Sequence, residues 1–131
     1  MNQSKIVLLA FLFFGVAVSI SHPKVHAQQY TQPVAYCISD YYDPGMYNWL
    51  SYRNNCGTTV HVQFVSNRPS GISGSMDINP GGHEGTGYTA TAVNAAGGVR
   101  RYACPAGYLA FDLAGKMIMN TAVDQYSCKQ Q

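Results

Sequence analysis

The chain has 131 residues, a formal net charge of +2 and only 11% charged residues, with 13 glycines, 10 tyrosines and 4 cysteines. This length fits one domain, and the scarcity of charge, with Arg100-Arg101 as the sole adjacent basic pair, disfavours nucleic-acid binding. The many glycines and the few charged residues also argue against a helical bundle.

The N-terminus is predicted to be a cleavable export signal. Residues 1–5 are weakly positive, and residues 6–20 form an uncharged apolar run that is short for a membrane span. Val25-His26-Ala27 places modest residues where a signal peptidase cuts, so cleavage before Gln28 is expected. An uncleaved N-terminal anchor is the alternative, because Lys24 flanks the far end of the run.

Cleavage would leave a single domain over residues 28–131 with no net charge, because two lysines leave with residues 1–27 and six basic residues then face six acidic ones. We expect this domain to be secreted, extracellular or periplasmic, without stable membrane insertion. It should be a monomer or a weak homo-oligomer, because a surface with so few charges resists association only weakly.

The mature chain is predicted to be built from short strands separated by turns. Residues 28–33 are polar and contain a proline, so they are expected to form a loose leader, with order beginning near Val34. Turn residues such as Asp43-Pro44-Gly45 and Asn79-Pro80-Gly81 separate the runs. The predicted strands are residues 34–39, 47–53, 58–66, 72–78, 85–93, 99–104, 108–113, 116–119 and 121–128.

The strongest of these strands shows strict alternation of apolar and polar residues. Val60, Val62 and Phe64 share one face and are predicted to be buried, whereas His61 and Gln63 share the polar face. Turn signals every 8 to 12 residues indicate an all-β fold, either a small antiparallel β-sandwich or a barrel.

The next strand contains a glycine at a position that should face inward. Ile72, Met76 and Ile78 recur on its predicted inner face, and Gly74 takes the remaining place. A glycine inside a strand indicates a bulge or a close approach of another group to the backbone.

The four cysteines are Cys37, Cys56, Cys104 and Cys128. In an exported chain they predict two disulfides, for which three pairings exist. The local pairing of Cys37 with Cys56 and of Cys104 with Cys128 is favoured, with each closed loop worth roughly 3 kcal/mol in the chain-entropy interpretation. Their wide spacing lacks the close pairs of structural zinc sites, so no metal and no cofactor are predicted.

His83-Glu84 is the strongest candidate for chemistry. The pair lies among glycines that could bring an imidazole and a carboxylate to a ligand, which suggests an enzyme inhibitor or a small hydrolase as one function. No convergent partner is evident in the sequence, and Gly71-Ile72-Ser73-Gly74 is not the G-x-S-x-G elbow of serine hydrolases. A non-enzyme is therefore expected.

Aromatic residues concentrate in the first predicted strands, and we take five of them as candidate binding residues: Tyr41, Tyr42, Tyr47, Trp49 and Tyr52. If the Leu50 face of the strand is buried, Tyr47 and Trp49 would form an exposed platform. If the opposite face is buried, Trp49 would cover a disulfide, and this arrangement is favoured because a lone tryptophan in a small sandwich usually belongs to the core.

Several short motifs resemble those of small secreted bacterial disulfide-containing β-proteins of unknown function. The motifs are Trp49-Leu50-Ser51-Tyr52-Arg53-Asn54-Asn55-Cys56, Val60-His61-Val62, Asn79-Pro80-Gly81-Gly82 and Cys104-Pro105-Ala106-Gly107-Tyr108. Asn55-Cys56 and Thr59-Val60 also resemble the opening of thaumatin-like proteins, whose many cysteines and acidic cleft residues this chain lacks. The first resemblance implies a disulfide-stabilised β-domain and transfers no catalytic residue.

Three functions are consistent with these patterns. The first is a non-catalytic module that binds a protein or a glycan through its tyrosine-bearing strand. The second is the inhibitor or hydrolase that uses His83-Glu84, and the third is a structural component of an envelope or surface.

Overall fold

The computed structural model describes residues 29–69 and 71–131, so the predicted signal peptide at residues 1–27 lies outside the described residues. The described chain contains one α-helix, α1 (Ala90–Ala95). The strands are β1 (Tyr30–Thr31), β2 (Ile38–Asp43), β3 (Trp49–Asn54), β4 (Val60–Ser66), β5 (Ser73–Ile78), β6 (His83–Thr89), β7 (Val99–Pro105), β8 (Tyr108–Phe111) and β9 (Ser127–Gln130).

The strands form three small antiparallel sheets, which confirms the predicted all-β fold. The inner sheet has the order β5-β4-β7, the aromatic sheet has the order β2-β3-β6, and the terminal sheet has the order β1-β9-β8. Short 3-10 turns at Ala35–Cys37 and Pro44–Met46 bracket β2. Strand β2 therefore includes residues 40–43, the first four residues of the turn expected over residues 40–45.

The inner sheet is covered on both faces. Val62 and Phe64 of β4 belong to a core shared with Leu50 of the aromatic sheet. On the other face of β4, Val65 belongs to a second core that includes Ala110 of the terminal sheet. The three sheets therefore form successive layers around two small apolar cores.

Gln63 lies between the two sheets of the second core, which corrects its prediction as a polar-face residue. It is only 6% exposed, because the terminal sheet covers this face of β4. Its amide group donates to the carbonyl of Ile118 at 2.7 Å and accepts from the amide of Ala110 at 2.6 Å. A buried amide is stable here because both ends are hydrogen-bonded.

Two disulfides cross-link the domain. Cys37–Cys56 joins the 3-10 turn before β2 to the loop after β3, with Cα atoms 5.3 Å apart. Cys104–Cys128 joins β7 to β9, so it links the inner and terminal sheets, with Cα atoms 5.6 Å apart. This is the local pairing favoured by the sequence.

The segment predicted to be a loose leader is partly ordered. Within it, Tyr30 and Thr31 form β1 and pair with Lys129 and Cys128 of β9. The prediction of order only from Val34 was wrong because β9 offers an edge whose pairing partner lies at the opposite end of the chain.

The predicted strand over residues 85–93 is also different in the structure. Strand β6 ends at Thr89, whose hydroxyl accepts from the amide of Ala92 and caps α1. Thr89 is a favourable N-cap and alanine is the best helix former. The helix also buries Val93 in the first core, which the alternation of small residues did not reveal.

The chain beyond β8 is less regular than predicted. Residues 116–119 make only an isolated bridge between Phe111 and Met117, at a turn where the amide of Asp112 donates to the carbonyl of Lys116 at 2.8 Å. Of the predicted strand over residues 121–128, only the last two residues are in β9.

Gly74 marks a close approach to its backbone, as its position predicted. A Cβ atom placed on Gly74 would lie 2.5 Å from Cζ of Phe64, which is directly opposite in the β4–β5 register. The Phe64 ring thus occupies the space that a side chain at position 74 would need.

Candidate functional site

The outer face of the aromatic sheet carries a cluster of aromatic and polar side chains. In the β2–β3 register, Tyr41 lies opposite Ser51 and Asp43 lies opposite Trp49, and in β6 His83 lies opposite Arg53. Successive side chains of a strand point to opposite faces. We call the outward set the aromatic face, with Tyr47 from the loop before β3: Tyr41, Asp43, Tyr47, Trp49, Arg53 and His83.

Trp49 lies on this outer face, so the favoured prediction that it belongs to the core was wrong. Leu50 is 7% exposed and belongs to the first core, whereas Trp49 is half-buried. The reason is that the two sides of β3 differ in what covers them: the inner sheet covers the Leu50 side. The platform arrangement is therefore the one that the structure contains.

Tyr47 is held beside Trp49 by an unusual backbone. Both Tyr47 and Asn48 have positive φ angles, 54° and 56°, after a turn in which the carboxylate of Asp43 accepts from the amide of Gly45 at 2.9 Å. The Tyr47 ring lies 5.3 Å from the indole ring of Trp49 and is tilted by 42°. Tyr47 is 80% exposed, so the pair presents an aromatic surface to solvent.

Gly85 of β6 lies beneath the Trp49 side chain. A Cβ atom at Gly85 would lie 3.3 Å from both Cε3 of Trp49 and Sδ of Met46. The Ser51 side chain is fully buried under the same groups, and its hydroxyl donates to the carbonyl of Trp49 at 3.2 Å. These contacts let the indole lie close to the sheet.

Polar groups flank the aromatic pair. Asp43 accepts a hydrogen bond from the Tyr41 hydroxyl at 3.2 Å, and Nε2 of His83 lies 3.5 Å from Oδ2 of the same carboxylate. The guanidinium of Arg53 lies 5.7 Å from the centre of the Tyr41 ring, a cation–π distance. Asp43, whose side chain is 14% exposed, thus orients the side chains of Tyr41 and His83.

Three sequence candidates are absent from the aromatic face. Tyr52 is 2% exposed and lies in the first core, so its prediction as a binding residue is corrected. Burial first, and then the nearby Asp40 carboxylate, raise the pKa of Tyr52 well above its usual range. Tyr42 lies between Tyr41 and Asp43 in β2, and Glu84 directly follows His83 in β6. Because side chains alternate along a strand, both point to the other side of the sheet.

His83 and Glu84 therefore do not converge. They are successive residues of β6, with His83 beside Arg53 on the outer face and Glu84 opposite Tyr52 on the inner side. Acid–base chemistry at one ligand atom needs two groups within hydrogen-bond reach of it, and alternation separates these two.

Two residues of the face were not candidates in the sequence. Asp43 was interpreted as a turn residue, and in the structure it is also the shared partner of Tyr41 and His83. Arg53 shares the period-two spacing of Trp49 and Ser51, a signal that could have identified it once the buried side was known.

No cluster of three or more metal-ligating side chains occurs in the part of the chain that the structure describes. None of the described helices is long and apolar enough to span a membrane. The two disulfides indicate an oxidising compartment. No protein-family model, curated protein or solved structure matches the chain.

Proposed function

We propose that the protein is a non-catalytic binding module that recognises a glycan through the aromatic face. The observation that carries this proposal is the pair of rings formed by the exposed Tyr47 and the half-buried Trp49, 5.3 Å apart on the surface of a sheet. Aromatic rings offer a rigid apolar surface at small entropic cost. The C–H face of a sugar ring is complementary to such a surface.

The flanking polar groups suit the hydroxyls of a sugar. The Asp43 carboxylate accepts hydrogen bonds and the Arg53 guanidinium donates them. His83 adds a third polar group, 3.5 Å from Asp43. A few oriented polar groups around an apolar surface is the usual composition of a small-ligand site.

The same reasoning favours binding over hydrolysis. A hydrolase using His83 and Glu84 would need both side chains at one reacting atom, and the alternation of β6 turns them apart. We therefore assign His83 to the binding face through its contact with Asp43.

Export of this module is part of the proposal. Two disulfides indicate an oxidising compartment, and the apolar run at residues 6–20 followed by Val25-His26-Ala27 is typical of a secretory signal. The expected location is extracellular or periplasmic, where free or surface glycans are available.

A glycan array with the exported, disulfide-bonded protein tests the proposal. Binding to a defined set of glycans is expected, followed by a change of Trp49 emission when one of them is titrated in solution. Tyr47→Ala should weaken that binding about tenfold or more, as expected for an exposed aromatic anchor.

Tyr36→Ala is the matched control, because Tyr36 is also exposed, at 87%, and precedes the paired part of the aromatic sheet. It should bind as the unmodified protein does. Binding to no glycan by folded protein, or equal losses in both variants, would overturn the proposal. Capture of a protein partner whose binding depends on Tyr47 would assign the face to protein recognition instead.

A further inference from the structure

A separate cleft lies between the β5 edge of the inner sheet and the chain that follows β8. It encloses about 380 Å³, within the range of small-molecule sites. Its described lining residues include none of the aromatic face. They include His61, Ser73 and Ser75 on one side and Leu109, Met117 and Met119 on the other.

One wall of the cleft contains an oriented histidine. Nδ1 of His61 lies 2.7 Å from Oδ1 of Asp77, its cross-strand neighbour in the β4–β5 register. An ionised carboxylate only accepts hydrogen bonds, so Nδ1 carries the proton in the neutral ring. Nε2 is then a hydrogen-bond acceptor and is the ring nitrogen that a ligand in the cleft can reach.

The opposite wall is apolar and adaptable. Leu109, Met117 and Met119 line it, and Met119 is 61% exposed. Methionine side chains are flexible and polarisable, and they accommodate apolar ligands of varied shape.

The remaining polar groups restrict the charge of a ligand. The amide of Gln63 is occupied by Ile118 and Ala110, whereas Ser73 and Ser75 bring neutral hydroxyls to the rim. The described residues that line the cleft include no lysine or arginine, and the Asp77 carboxylate behind His61 would repel an anion. The lining therefore disfavours an anionic ligand.

We propose that this cleft binds a neutral phenol or alcohol with an apolar substituent. Its hydroxyl donates to Nε2 of His61, and its apolar part lies on Leu109, Met117 and Met119. Asp77 is a positioning residue, because in the neutral ring it holds the proton on Nδ1 and so leaves Nε2 as an acceptor for a ligand that donates.

Titration of 4-butylphenol into the full, disulfide-bonded, ¹⁵N-labelled protein tests this site. Amide shifts are expected to concentrate in β5 and residues 117–119. The matched probe is 4-butylanisole, which has the same apolar part and no donor, and it should bind about 3- to 10-fold more weakly, the effect of one lost hydrogen bond. Equal affinity for the two probes, or shifts located elsewhere, would overturn the proposal.

Substitutions in each wall of the cleft test the two contributions to binding separately. Asp77→Asn should make the affinities for the two probes more similar, because a side-chain amide can hydrogen-bond with either neutral tautomer of the imidazole. Met119→Ser should weaken the binding of both probes equally. Asp124→Asn, at another exposed aspartate, should change neither. Tyr47→Ala should also leave the affinity for 4-butylphenol unchanged, so the cleft is tested independently of the aromatic face. Unchanged selectivity in Asp77→Asn would show that Asp77 does not position His61.

Discussion

Trp49 rests on Gly85 across the β3–β6 pair, so that a Cβ atom at position 85 would lie 3.3 Å from Cε3 of the indole. The glycine has no side chain to lift the ring off the sheet. The height and tilt of the indole ring above the sheet therefore depend on a residue that has no side chain of its own.

Gly85→Val should displace the indole without unfolding the domain. The Cβ atom alone would lie 3.3 Å from Trp49 and Met46, closer than ordinary van der Waals contact, and the two methyl groups of valine extend beyond it, so a cost of about 1–3 kcal/mol is expected. Because Trp49 is the sole tryptophan, its emission maximum reports the displacement directly. Gly85→Ala should give a smaller shift in the same direction. An unchanged spectrum in the valine variant would contradict the contact.

Gly74→Ala should destabilise the inner sheet by about 1–3 kcal/mol, because its Cβ would lie 2.5 Å from the Phe64 ring. Urea unfolding measures this loss. The matched control is Gly57→Ala, where a Cβ atom meets nothing within 4 Å, and it should change stability by less than about 0.5 kcal/mol. Equal effects of the two substitutions would show that the Phe64 ring does not fill this space.

Gln63→Leu should cost about 2–4 kcal/mol, because it leaves the buried carbonyl of Ile118 and the buried amide of Ala110 without their partner. Denaturant unfolding compares it with Gln125→Leu at an exposed position, which should be close to neutral. A stable Gln63→Leu variant would mean that the terminal sheet does not depend on this amide.

The two disulfides should be reduced one after the other, Cys37–Cys56 before Cys104–Cys128. Cys104 and Cys128 are fully buried, whereas Cys37 and Cys56 are half-buried, and thiol exchange requires access to a sulfur atom. Graded dithiothreitol followed by alkylation and mass spectrometry should therefore trap labelled Cys37 and Cys56 first. Simultaneous labelling of all four cysteines would indicate that reduction requires global unfolding.

The stability of the fold should fall at alkaline pH. The pKa of Tyr52 is raised above its ordinary value of 10.0 by burial and by the neighbouring Asp40 carboxylate, so the folded state holds this proton more tightly than the unfolded state. The resulting stabilisation is fully present below about pH 10 and is lost as the pH rises above it. Burial also raises the pKa of Tyr126, which adds a contribution of the same sign.

Urea unfolding at pH 8 and at about pH 11 measures this effect. Tyr52→Phe should show a smaller difference between the two pH values than the unmodified protein, because it has no hydroxyl to ionise. Tyr36→Phe, at an exposed tyrosine, should retain the full difference. The same pH dependence in both variants would assign the alkaline loss to other groups.

Local patterning in the chain was enough to predict the all-β class and one of the two buried faces of β4, because the alternation of Val60, Val62 and Phe64 involves neighbouring residues only. The close approach at Gly74 was predictable for the same reason, since a glycine within the apolar stripe of a strand commonly marks a bulge or a tight contact. The sequence favoured the local disulfide pairing but could not exclude the other two, because four cysteines permit three pairings.

The buried side of β3, and with it the place of Trp49 in the core or on the surface, depends on how the sheets assemble. Period two assigns Trp49 and Leu50 to opposite faces without saying which face another sheet covers. The same limit placed Gln63 on a polar face, although the terminal sheet buries it. The partnership of Asp43 with His83 depends on strand register between residues 40 apart in the chain. Burial and register are set by long-range packing, and no local pattern contains that information.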